Sequence, residues 1–381
     1  GRIKNAISDM EITSKDLLSY DLSKRICNNT AREFGPFLVS LSVLAKALGE
    51  FTDLIRIVID GIDDDDKDTP SYWESKIILR RLDSYVLLLK NFNNWSELEN
   101  DVFWIQKKRL PPEMIKDNSD GFYVILNQTP LDISSLMNQG VFEPMNSVIC
   151  TSATLKSGRD FKYWMNRTGL SFAEKNRIAC KEFLSPFPYE KNMLFAVPSD
   201  VPSPDKIEFQ QYIEMAIPKL ISAAEGRTLV LFTSYDSLKS AFRATQLYLK
   251  GFSGRIMRQG EDDNSKLLEA FKKETESVLF ATDSFWQGVD IPGESLSQVI
   301  IVKLPFTVPN DPVFVARSEA IEKRGGIPFF ELSVPEAIIK FRQGIGRLIR
   351  RSDDRGVVVV LDRRIYEKNY GSAFTVCLGE C

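Results

Sequence analysis

The stretch FRQGIGRLIRR, residues 341–351, decides the expected fold around it. Ser333 precedes it as a helix cap, Pro335 stands in the first turn, and Glu336 completes a capping box. At about 100° per residue, the apolar side chains of this predicted helix fall within one arc. That arc holds Ile338, Phe341, Ile345, Leu348 and Ile349.

The opposite face of the predicted helix carries Gln343, Arg347 and Arg350, spaced four and three residues apart. One amide beside two guanidinium forks suits a polyphosphate ligand. Gly344 and Gly346 each cost about 1 kcal/mol of helix stability relative to alanine, so they predict close packing against the backbone. A solvated basic helix end is the alternative, because Arg favours C-terminal turns.

The composition limits the class of protein. The 381 residues suffice for two or three domains, and a net charge of −3 means that any nucleic-acid contact must come from local patches. Neither an apolar run of transmembrane length nor a signal peptide is visible, which predicts a cytoplasmic protein without a membrane partner. The five cysteines stand singly, without the spacing of a zinc or iron–sulfur site, and the expected set of metal ligands is empty.

The chain contains no histidine. Ser-His-Asp and Cys-His nucleophile systems, imidazole metal sites and a histidine general base are therefore excluded. The remaining chemistry must use carboxylates, Lys, Arg, backbone groups or bound groups, which favours phosphoryl transfer driven by electrostatics.

The apolar pattern changes along the chain. Residues 1–117 are predicted to be mostly helical, and Gly121–Leu126 and Ser147–Cys150 are predicted to be short buried strands. From about residue 181, β-branched runs alternate with helices such as Asp236–Lys250, which predicts an α/β fold with a parallel sheet covered on both faces. The predicted strands are Arg227–Phe232, Ser277–Ala281, Ser297–Val302 and Gly356–Leu361.

Further motifs follow predicted strands, where ligands of parallel sheets bind. They are TSATL at residues 151–155, FTSY at 232–235, ATDSFWQGVDIPG at 281–293 and DRR at 362–364. Ser-Ala-Thr is a weak signal alone, since it is a common strand-end turn, and Thr233 or Ser234 can simply cap a helix.

In this order, from residue 120 to 381, the motifs resemble those of the DinG/XPD-like branch of superfamily 2 helicases. The resemblance implies a RecA-like second motor domain at 181–381, an edge of the first motor domain at 118–180, and an arch-like helical insertion at 1–117. It makes Arg347 and Arg350 arginine fingers on the γ-phosphate of ATP.

The resemblance also implies which other residues bind ligands. The nucleotide contacts would be Gln343, Gly346, Gly288 and Asp290. The nucleic-acid contacts would be Ser152, Thr154, Thr233, Ser234, Ser284 and Trp286. The residues themselves leave a core role open for Phe285 and Trp286, and Gln287 stands where the family usually has Glu, which puts a charge-dependent role there in doubt.

The sequence contains neither a Gly-x-x-x-x-Gly-Lys-Ser/Thr loop nor an Asp-Glu-Ala-His box, which cradle phosphates and hold Mg²⁺. The chain is therefore expected to be the C-terminal part of an ATP-dependent DNA helicase, inactive alone, with its Mg²⁺ ligands in its own N-terminal motor domain. Its substrate would be single-stranded DNA or a forked duplex, and an iron–sulfur cluster in the parent protein stays open. The alternative is an ATP-independent nucleic-acid-binding or scaffold protein with a degenerate helicase fold.

Overall fold

The computed structural model describes residues 1–110, 114–115, 121–157, 160–183, 185, 187–282, 285, 296–349 and 351–376. These residues form two compact units. The first consists of residues 1–133 and 309–320, and the second of residues 134–308 and 321–381. The predicted domain limits at residues 117 and 180 stay a prediction.

The first unit packs long helices against a small antiparallel sheet. Its helices are α1 (Arg2–Leu18), α2 (Gly35–Asp60) and α3 (Pro70–Asn93), and its strands are β1 (Ser23–Arg25), β2 (Asp101–Arg109) and β3 (Phe122–Pro130), in the order β1-β2-β3. Helix α3 begins with Thr69, whose hydroxyl accepts the N–H of Tyr72, followed by Pro70. Apolar side chains of both layers form the core, among them Phe34, Phe37, Leu41, Phe92, Phe103 and Ile105.

The predicted strand at residues 121–126 corresponds to β3. The predicted strand at Ser147–Cys150 is wrong, because these residues adopt no regular structure and are exposed, Ile149 to 92%. Their sequence has the β-branched character of a strand, but none of the described residues pairs with them.

The second unit is a six-stranded parallel sheet covered by helices on both faces. Its strands are β4 (Met193–Ala196), β5 (Thr228–Leu231), β6 (Ile256–Arg258), β7 (Val278–Ala281), β8 (Gln298–Ile301) and β9 (Gly356–Val360). They lie in the order β4-β9-β8-β5-β7-β6. The predicted α/β class and parallel sheet are confirmed, and β4 and β6 are strands that the sequence pattern missed because each is short and little buried.

The helices of the second half of the chain are as follows: α4 (Ser134–Met137), α5 (Lys162–Thr168), α6 (Tyr189–Asn192), α7 (Glu208–Ala223), α8 (Tyr235–Tyr248), α9 (Asn264–Lys273), α10 (Pro312–Lys323), α11 (Val334–Ile345), α12 (Arg364–Glu367) and α13 (Gly371–Val376).

Alternate residues of the six parallel strands point into opposite layers of the core. Leu231 and Ile301 pack with Phe341 of α11, whereas Val230 and Ile300 pack with Phe242 of α8. Helix α11 is therefore held on one face of the sheet, next to the ends of the strands.

Candidate nucleotide and nucleic-acid site

Helix α11 begins where the sequence predicts, at Val334 with Pro335 in its first turn. The predicted capping box is wrong, because the Ser333 side chain makes no capping hydrogen bond. A π-helical turn over Phe329–Ser333 leads into α11 and gives Ser333 helical backbone angles (φ −65°, ψ −49°). Ser333 therefore lies within a continuous helical path, where its hydroxyl cannot cap.

The helix ends at Ile345, earlier than predicted, with Gly346 as the residue after it. Glycine at 344 and 346 lowers helix propensity at this point. The predicted common helical face of Gln343, Arg347 and Arg350 is consequently wrong. Arg347 lies beyond the helix and is only 4% exposed, and Arg350 lies outside the described residues.

The predicted burial of the five apolar side chains is confirmed, although Leu348 and Ile349 follow the end of the helix: Ile338, Phe341, Ile345, Leu348 and Ile349. This burial fixes the rotation of α11 about its axis. Gln343 is consequently directed away from the core.

A cavity of about 990 Å³ lies between Gln343 and the TSATL segment. Ser152 and Thr154 line one side, and Gln343 and Gly346 line the other. The structure thus brings together four residues that the resemblance assigns to two separate motifs. Arg347 does not line this cavity.

Gln343, which lines the cavity, has an unsatisfied polar atom. Its side-chain oxygen Oε1 is buried and accepts no hydrogen bond from any described residue. A buried acceptor without a donor costs about 1–3 kcal/mol, so its retention needs an explanation such as a functional role.

The cavity wall opposite Gln343 is a small polar turn. Ser152 Oγ accepts the N–H of Thr154 at 3.2 Å, and the two hydroxyls lie 3.4 Å apart. At Gly346, a Cβ would lie only 3.1 Å from the carbonyl oxygen of Arg342. The close approach to the backbone at Gly346 therefore comes from the preceding turn of the chain.

The motif after β5 lies at the carboxyl edge of the sheet. Ser234 Oγ accepts the N–H of Ser237 at 3.4 Å and so caps α8, which is the alternative that the sequence left open. Tyr235 Oη donates to the carbonyl of Gln259 at 2.9 Å. Thr233 is half-buried, and neither Thr233 nor Ser234 lines the cavity.

The long motif after β7 is described only in part. Phe285 is 1% exposed and belongs to the core, which settles its open alternative. The other candidates of this motif lie outside the described residues: Ser284, Trp286, Gln287, Gly288 and Asp290.

A buried carboxylate joins the ends of β8 and β9. Asp362 is fully buried, accepts the N–H of Leu304 at 2.8 Å and forms a salt bridge with Arg364 at 2.7 Å. Burial lowers the pKa of the neighbouring Lys303, and the charge of Arg364 lowers it further. The sequence indicated Asp362 as a strand-end residue, but no signal in it predicted the contact with Leu304.

Gln259 joins the next pair of strand ends. Its Oε1 accepts both the N–H and the hydroxyl of Thr282 at 2.8 Å. These hydrogen bonds between the ends of β6 and β7 were not predicted from the sequence, although Gln259 follows β6 directly.

Within the described part of the chain, no group of three or more Cys, Asp or Glu side chains could hold a metal ion. None of the helices described is both long and apolar enough to span a membrane.

Comparison with known proteins identifies relatives. Residues 217–380 match the family of helicase C-terminal domains. The chain is 41% identical over 249 residues to the ATP-dependent DNA helicase YoaA of Haemophilus influenzae, a match that covers 65% of this chain and 38% of that protein. It is 37% identical over 275 residues to the ATP-dependent helicase DinG of Mycobacterium tuberculosis, which covers 71% of this chain and 39% of that protein.

The fold resembles that of a solved helicase. A solved XPD helicase superposes with a TM-score of 0.51 at 15% identity, over 97% of this chain and 66% of that structure. The chain spans about two fifths of the length of the curated relatives it matches. Residues 217–380 therefore belong to the family of helicase C-terminal domains, and the chain is similar to the C-terminal part of DinG/XPD-like superfamily 2 helicases.

Proposed function

We propose that this chain is the C-terminal portion of an ATP-dependent DNA helicase that couples ATP hydrolysis to translocation on single-stranded DNA and to duplex unwinding. The observation that carries the proposal is the cavity that Ser152 and Thr154 share with Gln343 and Gly346. The names of the YoaA and DinG relatives support it. In this arrangement residues 181–381 are the second motor domain, 118–180 an edge of the first, and 1–117 an arch-like insertion.

The residues of the cavity fit a nucleotide triphosphate. The amide N–H groups of Gln343 can donate to phosphate oxygens. Ser152 and Thr154, which the resemblance assigns to nucleic acid, line the same cavity and add hydroxyl groups there. ATP bound with Mg²⁺ supplies the phosphoryl group, while these side chains orient it, and Arg347 and Arg350 are proposed to balance its charge.

We place the phosphate loop and the Mg²⁺ carboxylates in an N-terminal motor domain of the same protein. Support comes from Ser147–Cys150, an exposed stretch whose β-branched residues favour a sheet. The N-terminal motor domain would supply the neighbouring strands of that sheet and cover Ile149.

Single-stranded DNA or a forked duplex is the proposed substrate. Thr233 and Ser234, with Ser284 and Trp286, would hold the tracking strand, the hydroxyls by its phosphates and the indole by stacking on a base. The relatives are bacterial, and bacterial DNA lies in the cytoplasm, so the protein would act there.

The deciding experiment measures phosphate release and strand separation by the longer protein that contains this chain, with and without single-stranded DNA. Arg350→Ala should lower the DNA-stimulated rate by about 10³–10⁵-fold, because a finger arginine stabilises charge that develops in phosphoryl transfer. Arg350→Lys should rescue only part of it, since an ammonium lacks the planar fork.

Arg351→Ala is the matched control, because Arg351 is an exposed neighbouring arginine. A parent protein that binds DNA without hydrolysing ATP would instead support the scaffold alternative. A near-normal rate for Arg350→Ala together with a lowered melting temperature would assign Arg350 a structural role, through its favourable interaction with the preceding helix end.

A further inference from the structure

Two side chains of α11 contact the segment that follows TSATL. Arg342 Nη1 donates to the carbonyl oxygen of Lys156 at 3.2 Å, and the Tyr163 hydroxyl donates to Glu336 Oε1 at 3.2 Å. Glu336 and Arg342 lie six residues apart on the helix, so Tyr163 and Lys156 are held near its two ends.

Lys156 and Glu336 each make a further side-chain contact. Lys156 directly follows the cavity-lining residues 151–155, and its ammonium contacts both carboxylate oxygens of Glu182 at 3.0 Å. The second carboxylate oxygen of Glu336 accepts the Thr307 hydroxyl at 3.5 Å. Thr307 lies in the segment that follows β8. Glu336 therefore links α11 both to this segment and to Tyr163 of α5.

These contacts join the two walls of the cavity. Gln343 directly follows Arg342 on α11, and Thr154 lies two residues before Lys156. The position of Gln343 relative to Thr154 is consequently set by side chains one or two residues away from each. Since α11 is fixed by its buried face, these contacts connect the TSATL segment to a firmly held helix.

We propose that Arg342, Glu336 and Tyr163 are positioning residues that hold the TSATL segment in a fixed position relative to Gln343. The two walls of the cavity would then move together when a ligand binds. The proposal rests on the proposed function, because the ligand it concerns is the nucleotide triphosphate. Tyr163 is the cleanest test residue: it does not line the cavity, so its hydroxyl can affect a bound ligand only through other residues.

The first test measures the position of the TSATL segment relative to α7 in the absence of nucleotide. Spin labels are placed on Cys150, which is exposed, and on Lys219→Cys of α7, with the other four cysteines replaced by serine. Pulsed electron resonance should give a single narrow distance for this chain. Arg342→Met with Tyr163→Phe should broaden the distribution, whereas Glu336→Gln should preserve it, because an amide oxygen still accepts the Tyr163 hydroxyl.

Arg324→Met is the matched control, since it removes an arginine whose partner is Glu331 in a surface ion pair. The control should leave the distribution unchanged, and melting curves verify that all variants fold. An unchanged width in the double variant, with the fold intact, would overturn the proposal.

The second test uses the longer protein. Tyr163→Phe should lower the DNA-stimulated kcat about tenfold while the KM for ATP stays constant, since one charge-assisted hydrogen bond is lost away from the ligand. A raised KM with unchanged kcat would contradict the positioning role. If the wild-type protein hydrolyses no ATP, the proposed function fails, and the distance measurement still decides whether the contacts hold the segment.

Discussion

At the residue scale, Gln343 has the most informative environment in the cavity. Its Oε1 is buried without a donor, whereas Gln298, another buried glutamine, has an Oε1 that accepts the Thr228 hydroxyl at 3.1 Å. Natural proteins retain such unsatisfied groups mainly where function needs them. A trade between stability and ligand binding is therefore expected at Gln343.

Replacing Gln343 with methionine should raise the free energy of unfolding by about 1 kcal/mol, because the orphaned carbonyl is removed at nearly constant volume. The same change should weaken nucleotide binding by the longer protein. Urea denaturation and a nucleotide titration measure the two effects. Gln298→Met is the control and should destabilise, since a satisfied hydrogen bond is lost there; a comparable loss at Gln343 would show that its oxygen does have a donor.

Ser234 allows the capping and nucleic-acid roles to be separated. Ser234→Asp and Ser234→Asn both keep a good helix cap, so both should unfold at close to the wild-type denaturant concentration. If a DNA phosphate lies near Ser234, the aspartate should weaken binding of a single-stranded oligonucleotide and the asparagine should not. Fluorescence anisotropy measures this, and equal binding by both variants would remove Ser234 from the DNA interface.

At the element scale, the ends of β8 and β9 depend on one buried carboxylate. Arg364→Met leaves Asp362 buried without its cationic partner, which typically costs about 3–5 kcal/mol. The matched control is Arg363→Met, which breaks only a surface ion pair with Glu367 and should cost at most about 1 kcal/mol. Chemical denaturation compares the two, and equal losses would mean that Asp362 gains its stability elsewhere.

The elements also explain how far the sequence could predict the structure. The central strands β5, β7 and β8 were predictable because they are buried on both faces, and β9 because its valines form a continuous apolar run. The strand predicted at Ser147–Cys150 failed because a strand needs neighbours, and local pattern contains no information about whether they exist. The end of α11 failed because periodicity continues through Gly346 although the backbone does not.

The candidate site was predictable to a similar degree. Ser152, Thr154, Gln343 and Gly346 were all named from the sequence, but the resemblance assigned the first two to nucleic acid and the last two to the nucleotide, so their common cavity was not predicted. The contacts that hold these residues, such as Arg342 with the carbonyl of Lys156, join positions 186 residues apart and involve backbone atoms. Such contacts leave no local trace in a single sequence.

At the scale of the whole molecule, this chain alone should release no phosphate from ATP above background with Mg²⁺ and single-stranded DNA, because its sequence contains no phosphate loop. A coupled phosphate assay on the purified chain measures this. Robust turnover that persists through further purification would contradict the assignment of the phosphate loop to another part of the protein.

The chain alone should bind single-stranded DNA weakly, with an affinity that falls with salt. The logarithm of the binding constant should decrease by about 0.7 per neutralised phosphate for each unit of log salt concentration. Trp286→Ala should weaken binding by about 1–3 kcal/mol if the indole stacks on a base. Unfolding of this variant would instead assign Trp286 to the core.

The strand order places β4 at the edge of the parallel sheet beside β9, so the first strand along the chain pairs with the last one. On a ribosome, β4 emerges before the partner that must pair with it, and 160 residues separate Ala196 from Gly356. At about 5–20 residues per second, synthesis leaves β4 unpaired for roughly 8–32 s. During that interval an apolar edge is open to other chains, so translation speed and chaperone supply should govern how much of this protein reaches its native state in a cell.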